Sequence, residues 1–225
     1  MKSSPNRLGR VAGATLAGAG ALFIAVQINH PPLTLELVGT SEFLVRETCK
    51  VAMAALALAG IVTLTVWHRH RIGPLGVVGA SLFGLGYLAM LCVQTIAALV
   101  LPAIVATSPG YVWGVLVAAT GGQPTSDIGT IQILLNASGV GYLLGGLVYG
   151  IALFRMGLVA RWASVLLSVG TASTVASAVL PEFFDRVLAV PTGIALIGIG
   201  LSAWKGTAQA SVAPAESVRL EGVVR

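Results

Sequence analysis

Six apolar runs, separated by short polar or basic breaks, organise the chain. They cover residues 8–28, 43–67, 75–101, 128–154, 162–180 and 187–204. Each comes close to the roughly 20 apolar residues that carry a helix across a hydrocarbon core about 30 Å thick. Alternation with period two is absent, which argues against a β-barrel. The expected fold is all-α, an integral membrane bundle of six transmembrane helices within residues 1–206. A further apolar stretch, Tyr111–Ala119, is too short to cross. It predicts an interfacial or re-entrant helix, with Tyr111 and Trp113 at headgroup depth. Residues 207–225, with Ala, Ser, Val, Pro and scattered charge, predict a disordered tail.

Composition strengthens this reading. Of 225 residues, 56% are hydrophobic and only 9% charged, and the mean hydropathy is +0.92. Soluble domains carry about 25% charged residues. The net charge of +5 suggests nucleic acid in a soluble protein. Here the basic residues sit in short breaks between apolar runs, so topology explains them and no nucleic-acid partner is expected. With the N-terminus in the cytoplasm, Lys2, Arg7, Arg10, Arg69, Arg71, Arg155, Arg161, Lys205, Arg219 and Arg225 lie inside, ten of the thirteen basic residues. Arg46, Lys50 and Arg186 lie outside, with Glu36, Glu42, Glu47, Asp127, Glu182 and Asp185. The positive-inside rule then predicts both termini in the cytoplasm. The first run follows a basic start like that of a signal peptide. Its apolar core, 11–28, exceeds the usual 7–15 residues or so, so a retained helix is expected.

Membrane helices associate through small residues, because lipid tails are as apolar as leucine. Gly9, Gly13, Ala17 and Ala21 recur at spacing four, as do Gly76, Ala80 and Gly84. Ala137, Gly141 and Gly145, with Gly146 and Gly150 beside them, form a third row, and Gly198, Ser202 and Gly206 a fourth. Packing within the bundle is the first expectation for these rows; contact with a second copy or a membrane-protein partner is the other.

Polar residues at membrane depth face the bundle interior or water. With the topology above they gather near the outer surface: Gln27 and His30 after the first run, Arg46, Glu47 and Lys50 at the start of the second, Gln94 in the third, Gln132 and Asn136 in the fourth. These eight are the candidate ligand-binding residues. Glu42 and Arg46 are four apart and Glu47 and Lys50 three apart, so both pairs can neutralise themselves at a simple helix entrance. The sharper alternative turns Arg46 or Lys50 inward, toward Gln27, His30, Gln94, Gln132 and Asn136, to hold a polar or anionic group. Arg46 is the better anion contact, because guanidinium grips bidentately. Gln132 and Asn136 share one helix face, and such amides commonly stitch helices together.

Cys49 and Cys92 are expected as two free, buried thiols, and no cluster of Cys and His suggests a metal. No GxSxG, HExxH, phosphate-binding loop or dinucleotide fingerprint occurs. No run carries paired Asp or Glu at its centre, which weighs against a proton- or sodium-coupled carrier. An enzyme is therefore not expected, nor a cofactor. The expected function is to bind or move a small polar or amphipathic molecule through a pocket open to the outside. The alternative is an accessory subunit that docks through a glycine-rich face.

The six-run layout, the small residues after "RLGRVAG" (7–13) and the passage "ALFRMGLVARWASVLLSVG" (152–170) resemble small bacterial multipass membrane proteins of the domain-of-unknown-function type. The resemblance implies a bacterial plasma membrane location and carries over no catalytic residues.

Overall fold

The computed structural model describes residues 5–28, 31–177 and 182–212. All regular structure among them is helical. The elements are α1 (Pro5–Ala25), α2 (Leu35–Val38), α3 (Ser41–Trp67), α4 (Gly73–Leu99), α5 (Leu101–Ile104), α6 (Pro109–Ala119), α7 (Ile131–Met156), α8 (Arg161–Ala172), α9 (Thr174–Ser177) and α10 (Glu182–Val212). Among the described residues five helices, α1, α3, α4, α7 and α10, are long and apolar enough to cross a membrane. The 27 residues of α3 reach about 40 Å at 1.5 Å each.

Local chemistry sets the boundaries. Thr40 caps α3 by accepting a hydrogen bond from the Phe43 N–H at 3.3 Å. Pro74 occupies the first turn of α4, where its missing N–H costs nothing. Gly157 ends α7 with φ 63°, a left-handed geometry that suits glycine. Pro102 has no N–H to extend α4, and the chain breaks at Val100 into the single turn of α5.

Two expectations need correction. The fifth run is not one helix over 162–180. It is the 12 residues of α8, a break at Ser173 and the single turn of α9; 178–180 lie outside the described residues. Serine and threonine explain the break. The Thr171, Ser173 and Thr174 hydroxyls donate to the carbonyls of Leu167, Gly170 and Thr171 at 2.7–2.9 Å, and such back-bonding competes with regular helix. Next, residues 207–212 continue α10 as helix, because Ala and Gln in "TAQASV" favour it. The rest of the expected tail, 213–225, lies outside the described residues.

Six helices close a ring in the order α1, α3, α4, α7, α8, α10 and back to α1. Neighbours run antiparallel. Gly13 of α1 lies beside Gly200 and Trp204 of α10, and Gly20 beside Gly193. Gly79, Phe83 and Gly86 of α4 meet Tyr149, Gly145 and Gly141 of α7 in turn. Gly146 and Gly150 of α7 meet Thr171 and Ser168 of α8. A Cβ at Gly86 would collide with the backbone of Gly141, so these two helices touch main chain to main chain. The start of α1 and the end of α10 therefore share one end of the bundle, called terminal here. The turns around Arg69, Arg71 and Arg155–Arg161 lie there too, and Arg10 stacks over Trp204 at 5.3 Å.

Aromatic side chains fill the middle of the ring. Phe83 packs against Tyr87, Tyr142 and Tyr149, and Phe23 stacks on Tyr142. Tyr142 donates to Thr192 of α10 at 2.9 Å, and Tyr149 shares a hydrogen bond with Thr65 of α3 at 3.1 Å. The Tyr87 hydroxyl is buried without a partner among the described residues. A second, smaller apolar core caps the distal end. There Val112, Val115 and Leu116 of α6 pack with Val38, Phe43 and Leu101.

Candidate functional site

Between the aromatic plug and this cap lies a cavity of about 830 Å³. Its base is Phe23 and Tyr142, and its roof includes Phe43, Leu101, Val115 and Leu116. The walls come from α1, α3, α4 and α7, as the sequence led one to expect, and also from α6, α9 and α10.

Five of the eight candidate residues line it: Gln27, Glu47, Lys50, Gln94 and Asn136. They arrive from four separate elements. Gln27 sits in the turn after α1. Glu47 and Lys50 stand on the second and third turns of α3. Gln94 lies one to two turns from the end of α4, and Asn136 the same distance from the start of α7. Antiparallel packing brings these chain positions to one level. Glu47 is only 3% exposed and its Oε1 accepts from Lys50 Nζ at 2.6 Å. A carboxylate so buried is tolerated because an ammonium sits against it. The amides of Gln27 and Gln94 have no hydrogen-bond partner among the described residues.

Two further candidates, Arg46 and Gln132, stand elsewhere. Arg46 does not face the cavity. Its Nη1 donates to the carbonyls of Val26 at 3.0 Å and Ile28 at 3.3 Å, and its Nη2 pairs with Glu42 at 3.0 Å. It closes the end of α1, where unpaired carbonyls and the helix dipole favour a cation. Of the two basic residues, Lys50 is the one that turns inward. Gln132 is also off the cavity. It donates to Asn136 Oδ1 at 3.0 Å along the same helix, so this pair does not stitch two helices. His30 lies outside the described residues. Both cysteines are free; Cys49 is half-buried, but Cys92 is exposed rather than buried.

The sequence reading missed several lining residues. Ser138, Gly139 and Tyr142 of α7 and Thr174 of α9 border the cavity. Tyr142 carried a signal, being a hydroxyl-bearing ring at mid-helix. Gly139 carried none, since only the fold shows that it faces open space. No group of three or more His, Cys, Asp or Glu able to hold a metal occurs among the described residues.

The glycine rows are used inside the chain. Gly13, Gly141, Gly145, Gly146, Gly150 and Gly198 each meet another helix of the same ring. No family model, curated protein or solved structure matches the chain.

Proposed function

We propose that the protein is a six-span bundle of a bacterial plasma membrane, with both termini cytoplasmic, and that it binds or moves a small polar or amphipathic molecule through its distal cavity. One observation carries this reading: Gln27, Glu47, Lys50, Gln94 and Asn136, from four separate parts of the chain, surround one cavity. Its volume falls in the roughly 300–1,000 Å³ range of small-ligand sites, and mostly apolar walls with a few convergent polar groups are their usual lining. The six antiparallel ring helices support six crossings, with α8 and α9 together forming the shortest, about 25 Å over 17 residues. The basic terminal end supports the orientation. Internal use of the glycine rows leaves the accessory-subunit alternative with less to stand on.

A thermal-shift screen of small molecules against the full chain in nanodiscs tests the binding. A ligand should raise the melting temperature of the wild type, and Gln94→Leu or Asn136→Leu should remove that rise. If no compound shifts the wild type in a way these variants abolish, the reading fails. For orientation, in a chain with Cys49 and Cys92 replaced by serine, a membrane-impermeant thiol reagent added outside intact cells should label Asn136→Cys and spare Lys205→Cys.

A further inference from the structure

We infer that the occupant of the cavity is a single-chain amphiphile with a zwitterionic, net-neutral head, which enters sideways from the hydrocarbon. The inference rests on the proposed role of the cavity as a ligand site and names the ligand's chemistry.

Charge comes first. Glu47 and Lys50 are the two charged side chains on the cavity wall among the described residues, and they are joined at 2.6 Å. Arg46, four residues before Lys50 on α3, is engaged by the end of α1 and by Glu42. The described part of the wall therefore presents a fixed dipole with no net charge. Away from bulk water, a charge near such a pair meets attraction and repulsion at similar range, each stronger than in water. A head carrying both signs lies against the pair with each end matched. The amides of Gln27, Gln94 and Asn136 at the same level add donors and acceptors for it.

The remainder of the wall asks for a chain. Phe23, Met90, Leu135, Leu143 and Leu188 line the space around the polar level. A small water-soluble zwitterion would leave these surfaces uncovered. The volume suits a molecule of drug size.

The route follows from the broken fifth run. Thr171, next to last in α8, sits opposite Gly146. The turns of α7 from Ile131 to Leu143 thus extend past the end of α8. On that stretch Gly139 and Val140 line the cavity and are nevertheless exposed. A Cβ at Gly139 would meet nothing within 4 Å. Thr174 and Val175 of α9 and Leu188 and Ala189 of α10 also line the cavity. Among the described residues the cavity is open to the side along Gly139 and Val140, at the depth where an amphiphile in the same leaflet would lie.

Four probes test this on the full chain in amphipol, read by native mass spectrometry and calorimetry: lysophosphatidylcholine, lysophosphatidylglycerol and an alkyltrimethylammonium of matched chain length, and glycerophosphocholine, which has the head and no chain. Lysophosphatidylcholine should bind once per chain, at least about tenfold more tightly than each of the others. Gly139→Leu, which narrows the side opening without a backbone clash, should weaken it by about tenfold or more at an unchanged melting temperature. Glu47→Gln should move the preference toward the anionic lysolipid; should that variant misfold, Lys50→Gln should move it toward the cationic one. Equal binding of a charged amphiphile, or of the head alone, overturns the inference while leaving the cavity a ligand site. So does failure of all four probes to saturate. Only an empty thermal-shift screen removes the ligand site itself.

Discussion

The two halves of the bundle are built from the same residue types and solve opposite problems. In the terminal half and the middle, backbones touch: Gly145 sits against the main chain of Phe83, Gly79 against Tyr149 and Gly13 against Gly200. What space is left is filled by Phe83, Tyr87 and Tyr149, each no more than 2% exposed. In the distal half the same α4 and α7 border a cavity of about 830 Å³. There Gly139 faces open space, and a buried ion pair stands where the lower half has aromatic rings. The difference lies in what surrounds each helix. Below, α8 completes the ring and small residues let it close; above, α8 has ended and the cap of α2, α5 and α6 covers the opening without filling it.

The contrast breaks most severely at Gly145. Gly145→Leu forces a side chain into the backbone of Phe83, and overpacking already costs about 1–3 kcal/mol where side chains can shift. The expected result is loss of a monodisperse peak in size exclusion, whereas Gly139→Leu should melt within about 0.5 kcal/mol of wild type. Equal damage from both would show that the distal half is as tightly packed as the middle.

Lys50→Met comes next. It leaves the Glu47 carboxylate buried and unpaired, at a cost of about 3–5 kcal/mol. The double variant Glu47→Leu/Lys50→Met should recover most of that stability in a chemical-denaturation series. Absence of recovery would mean that the two side chains act separately.

Tyr142→Phe strands the buried Thr192 hydroxyl and should cost about 1–3 kcal/mol. Tyr87→Phe, which removes a hydroxyl with no partner among the described residues, should be neutral or slightly stabilising in the same melts. Arg46→Ala should cost about 1–2 kcal/mol through the lost carbonyl contacts at the end of α1. Its bond to the exposed Glu42 adds little, because solvent screens such pairs.

The smallest effect belongs to the terminal end. Burial holds His68 below its ordinary value of 6.5, against the opposing hydrogen bond to the Leu64 carbonyl. As pH falls below that value the unfolded chain takes up a proton before the folded one does. The contribution is therefore present above 6.5 and lost as pH falls toward the lower folded value. Melting temperature should drop slightly between about pH 8 and about pH 5.5, and less so in His68→Asn.

Much of this was legible in the order of residues. The apolar runs gave helices whose ends differ by only a few residues from α1, α3, α4 and α7, and α6 lies where Tyr111–Ala119 was too short to cross. Ion pairs within one helix, Glu42 with Arg46 and Glu47 with Lys50, follow from spacing alone. The broken fifth run was harder to see. Hydropathy averages over its Ser and Thr residues, while the break depends on which carbonyls their hydroxyls reach. The inward-facing alternative for Arg46 failed for a related reason. Its partners are carbonyls twenty and eighteen residues away, and no spacing rule within α3 points to them.

Apolar run length, turn residues and the placement of charge are local properties, so the chain alone dictates an all-helical architecture and the collection of its basic residues toward one end. Which glycine meets which helix, which of two neighbouring cations faces inward, and whether polar residues from four parts of the chain enclose one space are relations between segments. They depend on how six helices close a ring and where one of them stops. Main-chain contact at Gly86 and Gly141, together with the early end of α8 at Ala172, left the distal half open around Glu47 and Lys50.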